Sequence, residues 1–331
     1  MTAAYDVAGI GNAIVDVIAP ATDAFLAEHQ LAKGSMMLVD AEQSAALYAA
    51  MAAGVEASGG SAGNTVAGVG SFGGRAAYIG KVADDQLGRV FAHDMRANGV
   101  RFDTPPLVGS AATGVSMINV TPDGQRTMCT HLGAANQLAE ADVEPSVIEA
   151  AALTYLEGYL FDPPATRAAF EKAAALAHGA GRRVAITLSD SFVVERHREA
   201  LLAFLGRVDV VFANEAELTA LFETGFDAAL AAVRGRCALA AVTRSEKGSV
   251  LVTADAVHVV PAAPVAQVVD TTGAGDQYAA GVLFGLARGL PLPECGRLGS
   301  LAAAEVISHF GPRPLASLKD LATSSGYRLA A

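Results

Sequence analysis

The heptapeptide Asp270-Thr-Thr-Gly-Ala-Gly-Asp276 is the most chemically suggestive string in the chain. Small residues directly before the apolar run Ala279–Leu286 let successive backbone N–H groups turn toward one point at a helix start. The positive end of the helix dipole adds to them, so Gly273, Ala274 and Gly275 can stabilise developing negative charge such as that of a phosphate. Asp276 stands at the same helix start, where a carboxylate can take a proton from an attacking hydroxyl. An acidic residue in a first helical turn is also a simple dipole partner, and for an isolated Gly-Ala-Gly-Asp that plainer role is favoured.

Other strings invite weaker readings. Gly59-Gly-Ser-Ala-Gly63 matches the nucleophile-elbow string Gly-x-Ser-x-Gly, with Ser61 as the nucleophile of an α/β-hydrolase. Such an elbow follows a buried strand, whereas Val55-Glu-Ala-Ser is short and poor in β-branched residues, so a glycine-rich helix entry is the simpler reading. Gly9-Ile-Gly11-Asn-Ala-Ile14 begins like a dinucleotide fingerprint, but Ile14 stands where a small residue is needed. No Gly-x-x-x-x-Gly-Lys-Ser/Thr string occurs. Asn12 and Asp16 put polar side chains into an apolar opening. Asn214 and Glu217 share a face of a helix start, where a capping pair is their plain alternative.

These pieces do not stand alone. Asp270–Asp276 resembles the second signature of the ribokinase-like (PfkB-type) carbohydrate and nucleoside kinases. Gly59-Gly-Ser-Ala-Gly-Asn64 with the glycine-rich stretch to Gly74, Tyr78-Ile-Gly80-Lys and Asp84-Asp-x-x-Gly88 resembles the first. Asn214-Glu-Ala-Glu217 and Thr243-Arg-Ser-Glu-Lys-Gly248 follow in the family's order, so the resemblance covers roughly residues 5–313. It implies that Asp276 is the catalytic base and that Gly273, Ala274 and Gly275 form the anion hole. Asn214 and Glu217 match an Asn-x-x-Glu motif that helps to place Mg²⁺, largely through water, an ion suited to oxygen ligands. Thr243 and Gly248 match the ATP-side string, in which Ser245 replaces the middle glycine. Asp270 and Thr272 match positions that bind a monovalent cation, such as K⁺, in some members.

The spacing Gly-Asn-x-x-x-Asp in Gly11–Asp16 looks like the adenosine kinase branch, where the Asp accepts from ribose hydroxyls. Gly59, Gly60 and Asn64 match residues on the same ribose face. Arg126 matches a lid arginine that reaches the substrate or the transferred phosphate on closure, with a solvated strand-end arginine as the alternative. Tyr159 and Phe161 could line a base pocket, although aromatics after a strand are more often core. The implied reaction is transfer of the γ-phosphoryl group of ATP to a primary alcohol, the adenosine 5′-hydroxyl first. Inosine, guanosine or a free sugar (a ribokinase or fructokinase type) are the alternatives. The shortage of arginines near the expected sugar face weighs against a phosphorylated sugar, since bound phosphates favour Arg forks. More remote are the Ser61 hydrolase and a non-catalytic nucleotide-binding protein, the latter opposed by the intact Asp276 and its loop.

The bulk composition agrees. The chain has 331 residues, 52 % hydrophobic and 17 % charged, with a formal net charge of −11. That supplies a sizeable core and rules out wholesale disorder, and it argues against nucleic acid as a partner because no Lys/Arg cluster is present. The charge-free stretch Thr104–Pro122 contains prolines, glycines and polar side chains, so it reads as loop and strand and not as a membrane span. The N-terminus has no basic region before its apolar run. Cys129, Cys237 and Cys295 lie far apart and read as reduced thiols of a cytoplasmic protein. A small-molecule substrate and a monomer or homodimer complete the expectation.

The elements that must position these residues follow from periodicity. Strands are expected at Tyr5–Gly11, Ile14–Ala19, Ser35–Val39 and Ala76–Val82, with helices at Ala41–Ala53 (capped by Asp40), Ser61–Phe72 and Gln86–Asn98 (capped by Asp84 or Asp85). Thr113–Val120 and Gln125–Thr130 flank Pro122-Asp-Gly124, a hairpin signal. From Leu153 strands alternate with helices: Leu153–Glu157, Pro164–Ala180, Val184–Leu188, Phe192–Leu205, Val208–Phe212, Glu215–Phe222 and Leu239–Thr243. The hairpin Ser249–Val260 and the helix Ala274–Arg288 follow. Alternation implies crossover units and a parallel sheet covered on both faces. The expected fold is a single ribokinase-like α/β domain over residues 1–331, a mostly parallel central sheet flanked by helices. A small β-sheet lid is drawn from about residues 12–40 and 107–131.

Overall fold

The computed structural model describes residues 3–109, 111–327 and 329; Met1 and Thr2 of the opening segment and Ser110 of the charge-free stretch lie outside them. The strands are β1 (Tyr5–Ile10), β2 (Ile14–Pro20), β3 (Met36–Leu38), β4 (Val55–Ser58), β5 (Ala76–Ile79), β6 (Val100–Phe102) and β7 (Gly114–Val120). They continue as β8 (Arg126–His131), β9 (Ala151–Glu157), β10 (Arg183–Thr187), β11 (Val210–Asn214), β12 (Leu239–Thr243), β13 (Ser249–Val252) and β14 (Val257–Val260). Nine of them form one sheet in the order β14-β13-β12-β11-β10-β9-β1-β5-β6. Pairing is parallel from β6 to β12 and antiparallel only at the β12–β13 and β13–β14 edge.

Successive strand side chains point to opposite faces, so a strand buried on both sides must be apolar throughout. In β1, Ala8 and Ile10 enter the core under the helices Pro164–Gly179, Ser191–Phe204 and Glu215–Phe222, and Val7 enters the core on the other face. That second core holds the helices Ser61–Ser71, Ala274–Ala287 and Leu292–Val306. The chain runs from β1 outward to β5 on one side and later to β9 on the other. The carboxyl ends of β1 and β9 therefore flank a topological switch point, the place where open α/β sheets bind ligands.

The remaining five strands form a second sheet, β3-β8-β7-β2-β4. Four of them come from the two segments expected, and the hairpin about Gly124 joins β7 to β8 with Val120 opposite Arg126. The fifth, β4, is the Val55–Ser58 stretch read as too poor in β-branched residues. It pairs antiparallel with β2 at the sheet's edge and leaves Val55 67 % exposed, so no buried strand precedes Ser61. One face of this sheet buries Val17, Met117 and Cys129 against Phe25 and Leu47 of two short helices; the other carries Asp16.

Expected elements elsewhere stand within a few residues of their places. Asp40 and Asp85 cap their helices through the N–H groups of Gln43 and Gly88. The helices Asp23–Glu28, Phe226–Val233, Leu292–Val306 and Leu318–Ser324 and the strand β6 carried no reading in sequence. The three cysteines are unpaired. Among the described residues no helix is long and apolar enough to cross a membrane.

Candidate active site

Gly273 begins the helix Ala274–Ala287 in the left-handed region, φ +74°, and a Cβ there would stand 2.4 Å from the Pro312 carbonyl oxygen. Only glycine takes this turn without strain. First-turn N–H groups have no intrahelical partner. Ala274 spends its own on the Thr271 carbonyl, and those of Gly275 and Asp276 have no acceptor among the described residues. Gly275 faces open space, with nothing within 4 Å of where a Cβ would lie.

Asp276 is held from the helix Ser61–Ser71. Ser61 Oγ donates to its Oδ1 at 2.6 Å and Asn64 Nδ2 to its Oδ2 at 3.1 Å. Burial pushes the carboxyl above its usual range, opposed by these two bonds and by the charge of Arg313. The hydroxyl of Ser61 thus rests on a carboxylate and not on a histidine, so the Ser-His-Asp arrangement of an α/β-hydrolase is not formed here.

On one side of Asp276 lies the junction with the second sheet. Asp16 of β2 is buried, its carboxylate takes no hydrogen bond among the described residues, and burial pushes it up to about 7 against the pull of Arg313 and Arg126. Gly59 leaves room for it, since a Cβ would fall 2.4 Å from each carboxylate oxygen. Gly60, at φ +83°, passes over the Asn12 carbonyl and starts the helix that carries Ser61 and Asn64. Asn12, just after β1, donates Nδ2 to Glu157 Oε1 at 2.9 Å, and its Oδ1 is buried without a partner among the described residues. Glu157, at the end of β9, also accepts the Ala62 N–H and is pushed up to about 7 by burial. The switch point between β1 and β9 is therefore filled by an Asn–Glu pair.

Arg126, first residue of β8, donates Nη1 to Asp270 Oδ1 at 3.0 Å, while Nε and Nη2 are buried without partners among the described residues. It is not a solvated strand end: its side chain is 10 % exposed. Arg313 is a second guanidinium at this junction, so the expected shortage of arginines near Asp16 does not hold.

On the other side of Asp276 opens a cleft of about 760 Å³ whose walls include Asn214, Glu217, Thr243, Gly248 and Ala274. Thr243 ends β12. Gly248 turns at φ +82°, where a Cβ would stand 2.1 Å from the Val260 carbonyl oxygen. Ser245 keeps a glycine-like path, at φ +52°, although it carries a side chain. Asn214 caps the helix Glu215–Phe222 in a capping box with Glu217, whose carboxylate accepts its N–H at 3.0 Å and its Nδ2 at 2.6 Å. Phe161 packs in the core on Phe170 and Phe204, and Tyr159 lies against Ser189.

Two cation positions can be tested on these residues. Glu217 is 6 % exposed and pushed up to about 7, first by burial and then by Asp190 and Asp276, with no cationic group among its causes. An uncompensated carboxylate on a cleft wall suits a hydrated divalent cation, and no cluster of three ligating side chains exists among the described residues to strip its water. Asp270 and Thr272 do not fit a monovalent cation. Asp270 Oδ1 already takes Arg126 Nη1 and the Thr272 N–H at 3.0 Å, and Oδ2 takes the Gly311 N–H at 2.9 Å. A cation there would share an oxygen with a guanidinium.

Ser61, Glu157 and Arg313 were not read as parts of this site. Ser61 lies inside the glycine-rich signature, Glu157 ends an apolar strand, and Arg313 sits in a loop without periodicity.

Comparisons with known proteins bear on the family and the fold. Residues 34–318 match the model of the pfkB family carbohydrate kinases. The chain is similar to the crystal structure of an adenosine kinase from Sinorhizobium meliloti, 54 % identical with a TM-score of 0.92 over 97 % of this chain and 99 % of that one. A probable sugar kinase from Rhizobium etli is 48 % identical, with a TM-score of 0.93 over 98 % and 99 %. The adenosine kinase of Saccharomyces cerevisiae is 27 % identical over 92 % of this chain and 95 % of that one. A cytidine kinase from Thermococcus kodakarensis is 39 % identical over 40 % of this chain, a match spanning 49 % of its own length. With its ribokinase-like fold and this family match, the chain belongs to the pfkB family of kinases, phosphotransferases that take an alcohol group as acceptor and here most resemble the adenosine kinase branch.

Proposed function

We propose that this kinase transfers the γ-phosphoryl group of ATP to the 5′-hydroxyl of adenosine. The observation that carries the reading is the position of Asp276. Its carboxylate stands between the 760 Å³ cleft and the polar junction of Asn12, Asp16 and Asn64, at a helix start with uncommitted N–H groups. The 54 % identity to an adenosine kinase over nearly the whole chain supports the choice of acceptor.

In this mechanism Asp16 accepts from the ribose hydroxyls beside Gly59 and Gly60, and the free Oδ1 of Asn12 accepts from another ligand O–H. Asp276 removes the 5′-hydroxyl proton as that oxygen bonds to the γ-phosphorus and the bond from phosphorus to the β-phosphate bridging oxygen breaks. The charge on the transferred group meets the uncommitted N–H groups of Gly275 and Asp276, where the Gly273–Gly275 loop enters the helix. ADP leaves, and the proton on Asp276 passes to solvent. Asn214, Thr243 and Gly248 line the nucleotide's cleft. Glu217 would hold Mg²⁺ through water, and that ion would neutralise phosphate charge. The second sheet acts as a lid over the acceptor, and the two unpartnered nitrogens of Arg126 provide donors for ligand oxygens when it closes.

The test is ADP release from ATP and Mg²⁺ with adenosine, inosine, guanosine, cytidine, ribose, fructose and fructose 6-phosphate in parallel. Adenosine should give the highest kcat/KM. A hexose or hexose phosphate that wins ends the nucleoside reading, and cytidine or inosine in first place keeps the nucleoside and changes the base.

A further inference from the structure

Arg313 lies in the loop that follows the helix Leu292–Val306, and its guanidinium is enclosed by three other elements. Nε donates to Asn64 Oδ1 at 3.2 Å, Nη1 to Ser58 Oγ at 2.6 Å, and Nη2 to Met95 Sδ at 3.5 Å. None of these acceptors is a carboxylate. A guanidinium stays charged even when burial pulls its pKa down; Asp16, Asp94, Tyr78 and Asp276 face this one, none in a direct ion pair among the described residues, and an enclosed charge acts over longer distances than one in water.

The first consequence concerns Asn64. Arginine has donors only, so the amide oxygen of Asn64 must face it. The amide nitrogen is then turned to Asp276 Oδ2. A flipped amide would set N–H against N–H at the guanidinium and oxygen against oxygen at the carboxylate.

The second consequence concerns charge. Asp276 feels or is felt by Asp16 from β2, Tyr155 and Glu157 from β9, Tyr159 from the turn after it, and Glu217 from the helix Glu215–Phe222. Ser61 and Asn64 face it as neutral donors. All the titratable groups in that set are acids. Arg313 is the cation that opposes them at Asp276.

We infer that Arg313 is a positioning residue for the phosphoryl transfer, holding Asn64 in the orientation that donates to Asp276 and placing a positive charge beside that carboxylate. The inference rests on Asp276 acting as the base.

The experiment compares pH profiles of kcat for the parent, Arg313→Met, Arg313→Lys and Asp276→Asn, with melting temperatures measured alongside. Arg313→Met keeps a long side chain against Met95 and removes the charge. Its acid limb should move up by about one pH unit, an about tenfold loss of kcat on the limb that fades on the plateau, and acceptor KM should rise as well because Arg313 also faces Asp16. Arg313→Lys should restore most of the limb, and it decides the matter if the Met variant does not fold. A loss equal at every pH, a folded Lys variant whose limb shifts like that of Met, or a rise in KM with the limb unmoved would overturn the inference. If Asp276→Asn retains the parent's acid limb, the base reading itself fails, and the role of Arg313 goes with it.

Discussion

Ser61 and Asp276 are 215 residues apart in sequence and 2.6 Å apart in space. Their bond ties together the first turns of two helices, each entered through a glycine with positive φ, Gly60 and Gly273. A hydroxyl that donates to an ionised carboxylate makes a charge-assisted bond, about twice as strong as a neutral one. The Gly273–Gly275 loop and the helix entry at Gly60 are thereby tied to one another, and the carboxylate is held at both oxygens.

Gly59→Ala tests the acceptor side. A methyl group would fall 2.4 Å from both oxygens of Asp16, and Asp16 would have to move. The expected outcome is an acceptor KM raised about tenfold or more with the ATP KM within about twofold, since lost ground-state contacts appear in KM. Equal changes in both constants would mean that Asp16 is not an acceptor contact.

The buried acids predict the pH dependence of stability. Asp16, Glu157 and Glu217 are each pushed up to about 7, from 3.8 for the first and 4.5 for the two others. Between those ordinary values and pH 7 the folded chain binds more protons than the unfolded one, so these groups make stability fall as pH rises through that window. Glu157→Gln removes one of them, worth roughly 3 kcal/mol across the window. Melting temperatures of the ligand-free protein from pH 5 to pH 8 should decline less steeply in the variant than in the parent. Parallel curves would contradict the assignment.

The pair Arg126–Asp270 predicts indifference to potassium. With a guanidinium and two N–H groups on Asp270, the parent's kcat and melting temperature should be the same in KCl and in tetramethylammonium chloride at matched ionic strength. Arg126→Gln leaves a buried carboxylate without its counter-charge, a change that costs about 3–5 kcal/mol, and K⁺ should recover part of the lost melting temperature. Activation of the parent by K⁺ alone would show that a cation does enter.

Much of this was legible in the sequence, for physical reasons. The crossover strands are apolar on both faces and leave a strong pattern, as β9 to β12 do. Asp40, Asp85 and Gly124 announced caps and a turn through local chemistry. The glycine loops marked the two helix entries at Gly60 and Gly273 because few other residues take their backbone paths. By contrast β4 is an exposed edge strand, with no apolar alternation to betray it. Arg313 owes its place to contacts with Asn64 and Ser58, far away in sequence, and nothing in Pro312-Arg-Pro314 signals them. The acid at Glu157 looked like the end of a strand because its partner, Asn12, lies 145 residues earlier. Asn214 and Glu217 form the capping box of the plain reading and also line the cleft, so the cap does not exclude the proposed role.

The central claim is that Asp276 takes the proton, and Asp276→Asn tests it most directly. The substitution keeps the size of the side chain and its place at the helix start. Calorimetry should find ATP and adenosine bound with near-parent affinity and a melting temperature close to the parent's. A general base contributes typically about 10²–10⁴-fold, so kcat should fall by about that factor. A folded Asp276→Asn enzyme that retains most of the parent kcat would contradict the account.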